Sequence, residues 1–94
     1  STVIGKNTIV NKAIIAENCV ISANCELGFG DEVPNVRYPN IYYDGLVTIG
    51  EESYVPEGIR VGKNTAISGR TMKEDYSNDT LSAGQCLIKA GDRV

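Results

Sequence analysis

The stretch Val55 to Ser68, VPEGIRVGKNTAIS, decides the fold of this chain. It holds two complete six-residue units, Val55-Pro-Glu-Gly-Ile-Arg and Val61-Gly-Lys-Asn-Thr-Ala, and the start of a third at Ile67. An aliphatic residue opens each unit. A surface helix would need apolar residues at i, i+3, i+4 and i+7, and a half-buried strand would need strict alternation. A period of six fits neither, and self-similarity at a fixed period is the signature of a solenoid.

The same unit recurs along the chain. Ile4-Gly-Lys-Asn-Thr-Ile leads to Val10-Asn-Lys-Ala-Ile, one residue short, then to Ile15-Ala-Glu-Asn-Cys-Val, Ile21-Ser-Ala-Asn-Cys-Glu and Leu27-Gly-Phe-Gly. The series resumes at Ile49-Gly-Glu-Glu-Ser-Tyr and passes through Val55 and Val61 to Ile67. Its fourth position is mostly Asn or Gly, at Asn7, Asn18, Asn24, Gly30, Gly58 and Asn64. These residues enter the left-handed backbone region at least cost, as a chain must to turn a sharp corner. The fifth position is mostly small, at Thr8, Cys19, Cys25, Ser53, Thr65 and Thr71, which suits a tight interior beside a large aliphatic. Short parallel strands, three to a turn, with aliphatics stacked coil upon coil, follow from the pattern. Cys19 and Cys25 occupy the small slot six residues apart, on neighbouring faces of a coil, so buried free thiols are expected there and not a disulfide.

The hexads occupy residues 3–28 and 47–69. Between them, over residues 29–46, the period is lost in FGDEVPNVRYPNIYYDGL, which carries Pro34, Pro39, Asp44-Gly45 and three of the five tyrosines, Tyr38, Tyr42 and Tyr43. An irregular segment of this length is uncommon in a small domain and is often functional. Two readings are open for it: a contact surface for a partner domain or subunit, since aromatics are enriched at interfaces, or a lid folded over the flank of its own solenoid. Residues 70–94 read as a polar crossing, then a weak strand at Gln85-Cys-Leu-Ile-Lys and a turn at Ala90-Gly91-Asp92. That strand is expected to cover an open end or side, as repeat proteins require for solubility.

Bulk properties prune the function classes. Ninety-four residues allow one domain, and nine Lys and Arg against twelve Asp and Glu leave a net charge of −3. There is no basic footprint for nucleic acid or an anionic membrane, and no apolar run long enough for a membrane span or a leader. A cytoplasmic location is the resulting expectation. Three cysteines without a CxxC pair and no histidine argue against a structural zinc site. The lack of histidine also removes the commonest general base near neutral pH.

The hexads resemble the left-handed parallel β-helix of the hexapeptide-repeat proteins; its handedness comes from that resemblance alone, because parallel crossovers are ordinarily right-handed. Acyltransferases and sugar-phosphate nucleotidyltransferases both use this fold. The run Val55-Pro-Glu-Gly-Ile-Arg-Val-Gly-Lys-Asn, the short unit in Val10-Asn-Lys-Ala-Ile-Ile-Ala-Glu-Asn, and the insertion ending Tyr38-Pro-Asn-Ile-Tyr-Tyr-Asp-Gly-Leu are similar to the C-terminal region of bacterial glucose-1-phosphate adenylyltransferases. The resemblance implies a non-catalytic domain that assembles oligomers, packs against its own catalytic domain and helps transmit anionic effectors. ATP, glucose 1-phosphate and Mg2+ would belong to that catalytic domain, which opens with a loop of the GxGxGTRL type. This chain has no such loop, and Gly28-Phe-Gly30 reads as a corner. No catalytic, cofactor or metal residue is expected in this chain, which reads as a C-terminal piece of a larger enzyme, either excised or encoded separately; a start within the repeats at Ser1 favours excision. Effector sites in the family use Lys and Arg; the candidates are Arg60, Lys63 and Arg70, with Arg37 in the insertion, each weighed against an ordinary solvated face. The alternatives are a hexapeptide-repeat acyltransferase, which would need a base other than histidine, or the C-terminal domain of another sugar-phosphate nucleotidyltransferase. A carbonic anhydrase on this fold would need a histidine cluster.

Overall fold

The computed structural model describes residues 2–88. Eleven strands follow one another with almost no helix: β1 Val3–Ile4, β2 Ile9–Val10, β3 Ala13–Ile15, β4 Val20–Ile21, β5 Glu26–Phe29, β6 Val47–Ile49, β7 Tyr54–Val55, β8 Arg60–Gly62, β9 Thr65–Ile67, β10 Thr80–Leu81 and β11 Cys86–Leu87. All pairing among them is parallel, and it forms three sheets: β1-β4-β7 (sheet A), β10-β8-β5-β2 (sheet B) and β11-β9-β6-β3 (sheet C). Successive strands visit the sheets in rotation, so three strands close one coil and the next coil stacks on it. This is the left-handed parallel β-helix expected from the hexads.

The first residue of each unit builds the core. Ile4, Ile21 and Val55 stack in sheet A; Val10, Leu27, Val61 and Leu81 stack in sheet B; Ile15, Ile49, Ile67 and Leu87 stack in sheet C. Ile21, Leu27, Val55 and Val61 are completely buried, each worth about 1.5–3 kcal/mol of transfer free energy. The corners behave as their residues predict: Asn7, Asn18, Asn24 and Asn64 have φ between 57° and 61°, and Gly30 and Gly58 have φ of 76° and 78°. Glu52 and Arg70 fill the same fourth position and are held at φ 59° and 61°. The corner geometry therefore overrides residue preference at two sites. The five-residue unit at Val10 needs no such corner, and no residue between Asn7 and Asn18 has positive φ.

The fifth position proves to require more than a small size. Thr8 Oγ1 donates to the carbonyl of Ser22 (2.8 Å), Cys19 Sγ to that of Gly50 (3.2 Å), Cys25 Sγ to that of Pro56 (3.1 Å) and Ser53 Oγ to that of Ser68 (3.0 Å). In every case the acceptor is the second residue of the unit one coil above. A buried carbonyl at a corner, where no strand ladder serves it, gains its partner this way. The pattern is not general. Thr65 Oγ1 donates to the Gly62 carbonyl of its own unit at 2.8 Å, and Ser53 Oγ also reaches the Gly50 carbonyl of its own unit at 2.7 Å. Ile59 carries no donor, at the corner above which the fourth coil has no sheet A strand. Cys19 and Cys25 are free and buried, with no disulfide, and burial raises the Cys25 thiol pKa above its ordinary value.

The C-terminal segment covers the open end of sheets B and C by adding strands to them. β10 and β11 are a continuation of the helix, with Leu81 and Leu87 six residues apart in the core stacks and Gly84 (φ 78°) at the fourth position between them. Residues 70–79 replace the missing sheet A strand. Thr71 keeps the register, its carbonyl accepting from Tyr54 N–H at 2.9 Å. A 3-10 turn at Lys73–Asp75 then brings Tyr76 back against the core, its hydroxyl 3.2 Å from Thr71 Oγ1. The turn expected at Ala90–Asp92, and Lys89 before it, lie outside the described residues.

Two expectations follow. Relieving the left-handed strain by Glu52→Asn stabilises the chain by about 0.5–1 kcal/mol, read as a higher urea midpoint at unchanged slope; an unchanged or lower midpoint would refute the strain. Burial, only partly offset by the Thr71 hydrogen bond, pushes the Tyr76 phenol up to about 12. The unfolded chain thus loses this proton first, from about pH 10. The native state's advantage is complete below that pH and falls by about 2 kcal/mol on reaching pH 12. Comparing alkaline unfolding of the chain with that of Tyr76→Phe isolates this term, because the variant lacks it.

Candidate functional site: the insertion and the corners beneath it

The insertion leaves the second coil between β5 and β6, at the corner joining sheets B and C. The same corner in the third coil is Lys63-Asn64, and in the fourth it is Ala83-Gly84. The chain between β5 and β6 folds across both. Asn64, turned into the left-handed region, points its amide at the insertion: Oδ1 accepts the Gly45 N–H at 2.8 Å, and Nδ2 donates to the Val33 carbonyl at 2.9 Å and to Glu32 Oε2 at 3.4 Å. Asn35 answers from the other side. Its Nδ2 donates to the Asn64 carbonyl at 2.8 Å, while its Oδ1 accepts the N–H groups of Arg37 and Tyr38, each at 2.9 Å. Both asparagines are almost fully buried. Val36 N–H donates to the Gly84 carbonyl at 2.8 Å. A Cβ at Gly84 would lie 2.5 Å from the Pro34 carbonyl oxygen, so this crossing needs glycine for closeness as well as for its φ. At the far end Lys12 of the first coil pairs with Asp44 at 2.6 Å. Of the two readings open for this segment, the lid over its own flank is what the structure contains.

The lid forms open clefts. A cleft of about 470 Å3 is lined by Glu32, Pro34, Pro39, Tyr42, Tyr43 and Asn64. A smaller one of about 210 Å3 lies beside it, lined by Lys12, Ile41, Tyr43, Asp44 and Leu46. Tyr42 meets Tyr38 edge to face at 5.9 Å between centroids, and burial raises its phenol pKa above the ordinary value. Val33, Val36, Ile41 and Tyr43 remain exposed on the lid.

The basic residues singled out from the sequence are spread over the coil. Arg60 lies on the outer face of sheet B, its guanidinium 4.0 Å above the Phe29 ring centroid and its Nε 3.3 Å from Glu26 Oε1. Lys63 stands at the B–C corner, and the Cδ of its stem would be 3.6 Å from a Cβ at Gly45. Arg70 is at the next corner, beyond sheet C, with its N–H on the Glu51 carbonyl at 2.9 Å. Arg37 sits in the insertion, 6.0 Å from the centroid of the Tyr38 ring. None of these four lines either cleft. The polar residues that do shape the site, Glu32, Asn35 and Asn64, were not singled out; Asn64 read only as a corner, and nothing local marks a corner side chain as a clamp. Among the described residues no group of three or more His, Cys, Asp or Glu could hold a metal ion, and no helix is long and apolar enough to cross a membrane.

Asn64→Ala removes the acceptor of one buried N–H and the donor to a carbonyl, and it strains a left-handed corner. It is expected to cost about 2–4 kcal/mol and to raise amide exchange across residues 33–45 more than in β4 or β7. Uniform exchange changes would show that the lid is held by something else.

The chain is similar to several glucose-1-phosphate adenylyltransferases. That of Lachnospira eligens is 56% identical over 65 residues, 69% of this chain and 15% of that protein. That of Acetivibrio thermocellus is 32% identical over 91 residues, 97% of this chain and 21% of that protein. That of Thermotoga maritima is 33% identical over 62 residues, 66% of this chain. The chain thus spans about a fifth or less of the length of the first two. No family model matches it, and no solved structure matches it significantly. With its fold and these relatives together, the chain is a hexapeptide-repeat β-helix homologous to a segment of the glucose-1-phosphate adenylyltransferases.

Proposed function

We propose that this chain serves as the non-catalytic assembly and regulatory β-helix domain of a glucose-1-phosphate adenylyltransferase, the enzyme that joins ATP and glucose 1-phosphate into ADP-glucose and pyrophosphate for glycogen biosynthesis. The 56% identity to a segment of the Lachnospira eligens relative carries this reading. Nucleotide, sugar phosphate and Mg2+ would be held by a catalytic domain elsewhere in the polypeptide, and the setting would be cytoplasmic.

The assembly role is supported by the first coil. Ile4 and Val10 open units and stack on Ile21 and Leu27, yet they are 49% and 39% exposed where their counterparts are 0%. Val3, Ile9 and Ile14 on the outside of the same coil are exposed as well. Strands β1, β2 and β3 each pair on one side only. An apolar, half-paired coil is a surface that gains by being covered, by the rest of the polypeptide or by another subunit. The regulatory role keeps Arg60, Lys63 and Arg70 as candidates for an anionic metabolite. Arg60 is already engaged by Glu26 and Phe29, so an anion binding there would compete with both.

The chain alone is expected to form no ADP-glucose from ATP, glucose 1-phosphate and Mg2+, and turnover above background would overturn the reading. In sedimentation it should appear larger than its 10.1 kDa monomer at high concentration, and Ile4→Asp should weaken association at least tenfold. A chain that stays monomeric throughout would remove the assembly role.

A further inference from the structure

The cleft under the lid has a chemistry different from that of an anion site. Glu32 is the one charged residue lining it, and the rest of the wall is two tyrosines, two prolines and the amide of Asn64. The carboxylate is held in place by Asn64 Nδ2 and takes part in no ion pair among the described residues. The Asn64 amide is already spent on Gly45 and Val33. Lys63 lays its stem along Gly45 and lines neither cleft. A phosphate entering here would face Glu32 with no base in the wall to offset it. A cation would find the Glu32 carboxylate and the side chains of Tyr42 and Tyr43, aromatic rings of a kind that attract positive charge. The prolines would cover a short apolar body.

We propose that the cleft of Glu32, Tyr42 and Tyr43 is a binding site for a small organic cation, an ammonium or guanidinium group on a short apolar stem. This goes beyond the assembly and effector reading and does not rest on it, because it uses only the composition and geometry of the lid. Any ligand here touches Asn64 of the third coil and a segment also pinned to Lys12 of the first and Gly84 of the fourth. Occupancy therefore stiffens the corner across all four coils.

The test is a titration of the 15N-labelled chain with n-butylammonium chloride, against sodium chloride at equal ionic strength and the neutral probe 1-butanol. Amide shifts at Tyr42, Tyr43, Gly45 and Asn64 are expected to saturate in the millimolar range with the ammonium and to stay flat with the alcohol. Glu32→Gln, at an exposed position away from the core, is expected to weaken binding at least tenfold, and Tyr43→Ala to weaken it severalfold. Absence of saturable shifts at these amides, equal binding by Glu32→Gln, or the same amides responding to glucose 1-phosphate but not to the ammonium would each overturn the proposal.

Discussion

Everything in this molecule depends on the registry of one coil upon the next. A residue that opens a unit must lie directly over the residue that opens the corresponding unit below, because strand spacing is about 4.8 Å and interior packing tolerates no slip. The sequence separation between stacked partners is free to vary. Ile4 lies under Ile21, Ile21 under Val55, and Val61 under Leu81. The short unit, the lid and the 70–79 excursion account for these unequal spacings. Irregularity is tolerated at corners and outside the coil as long as the chain returns in register.

The corners carry a second demand, and the fifth position meets it. Four side chains of three types (a threonine, a serine and two cysteines) donate upward to a carbonyl that the sheets leave unserved. Size alone would have allowed alanine. Ile59 appears where the rung above has no such corner, and Thr65 serves the Gly62 carbonyl of its own unit instead.

The lid combines these constraints with a different use. Asn64 turns a corner and clamps the insertion with the same side chain, and Gly84 does so with its backbone. Positive charge is distributed around the coil at Arg60, Lys63 and Arg70, while the open cleft at the lid is lined by a carboxylate and two tyrosines.

The sequence by itself determined the period, and with it the aliphatic stacks, the left-handed asparagine corners and the placement of Cys19 and Cys25 in the interior. These are local and repeated, so each unit reinforces the reading of its neighbours. It also marked residues 29–46 as an interruption. What that segment does was decided only by tertiary structure, because Asn35 and Asn64 are 29 residues apart and their hydrogen bond exists only once the coils are stacked. The same holds for the fourth coil: Leu81, Gly84 and Leu87 keep the six-residue rhythm, but the excursion before them hides it until β8 and β9 supply the strands on which they pair. Arg60, Lys63 and Arg70 looked like neighbours because they are close along the chain. Two faces and two corners separate what sequence distance joins, since each corner of this helix sends the chain in a new direction.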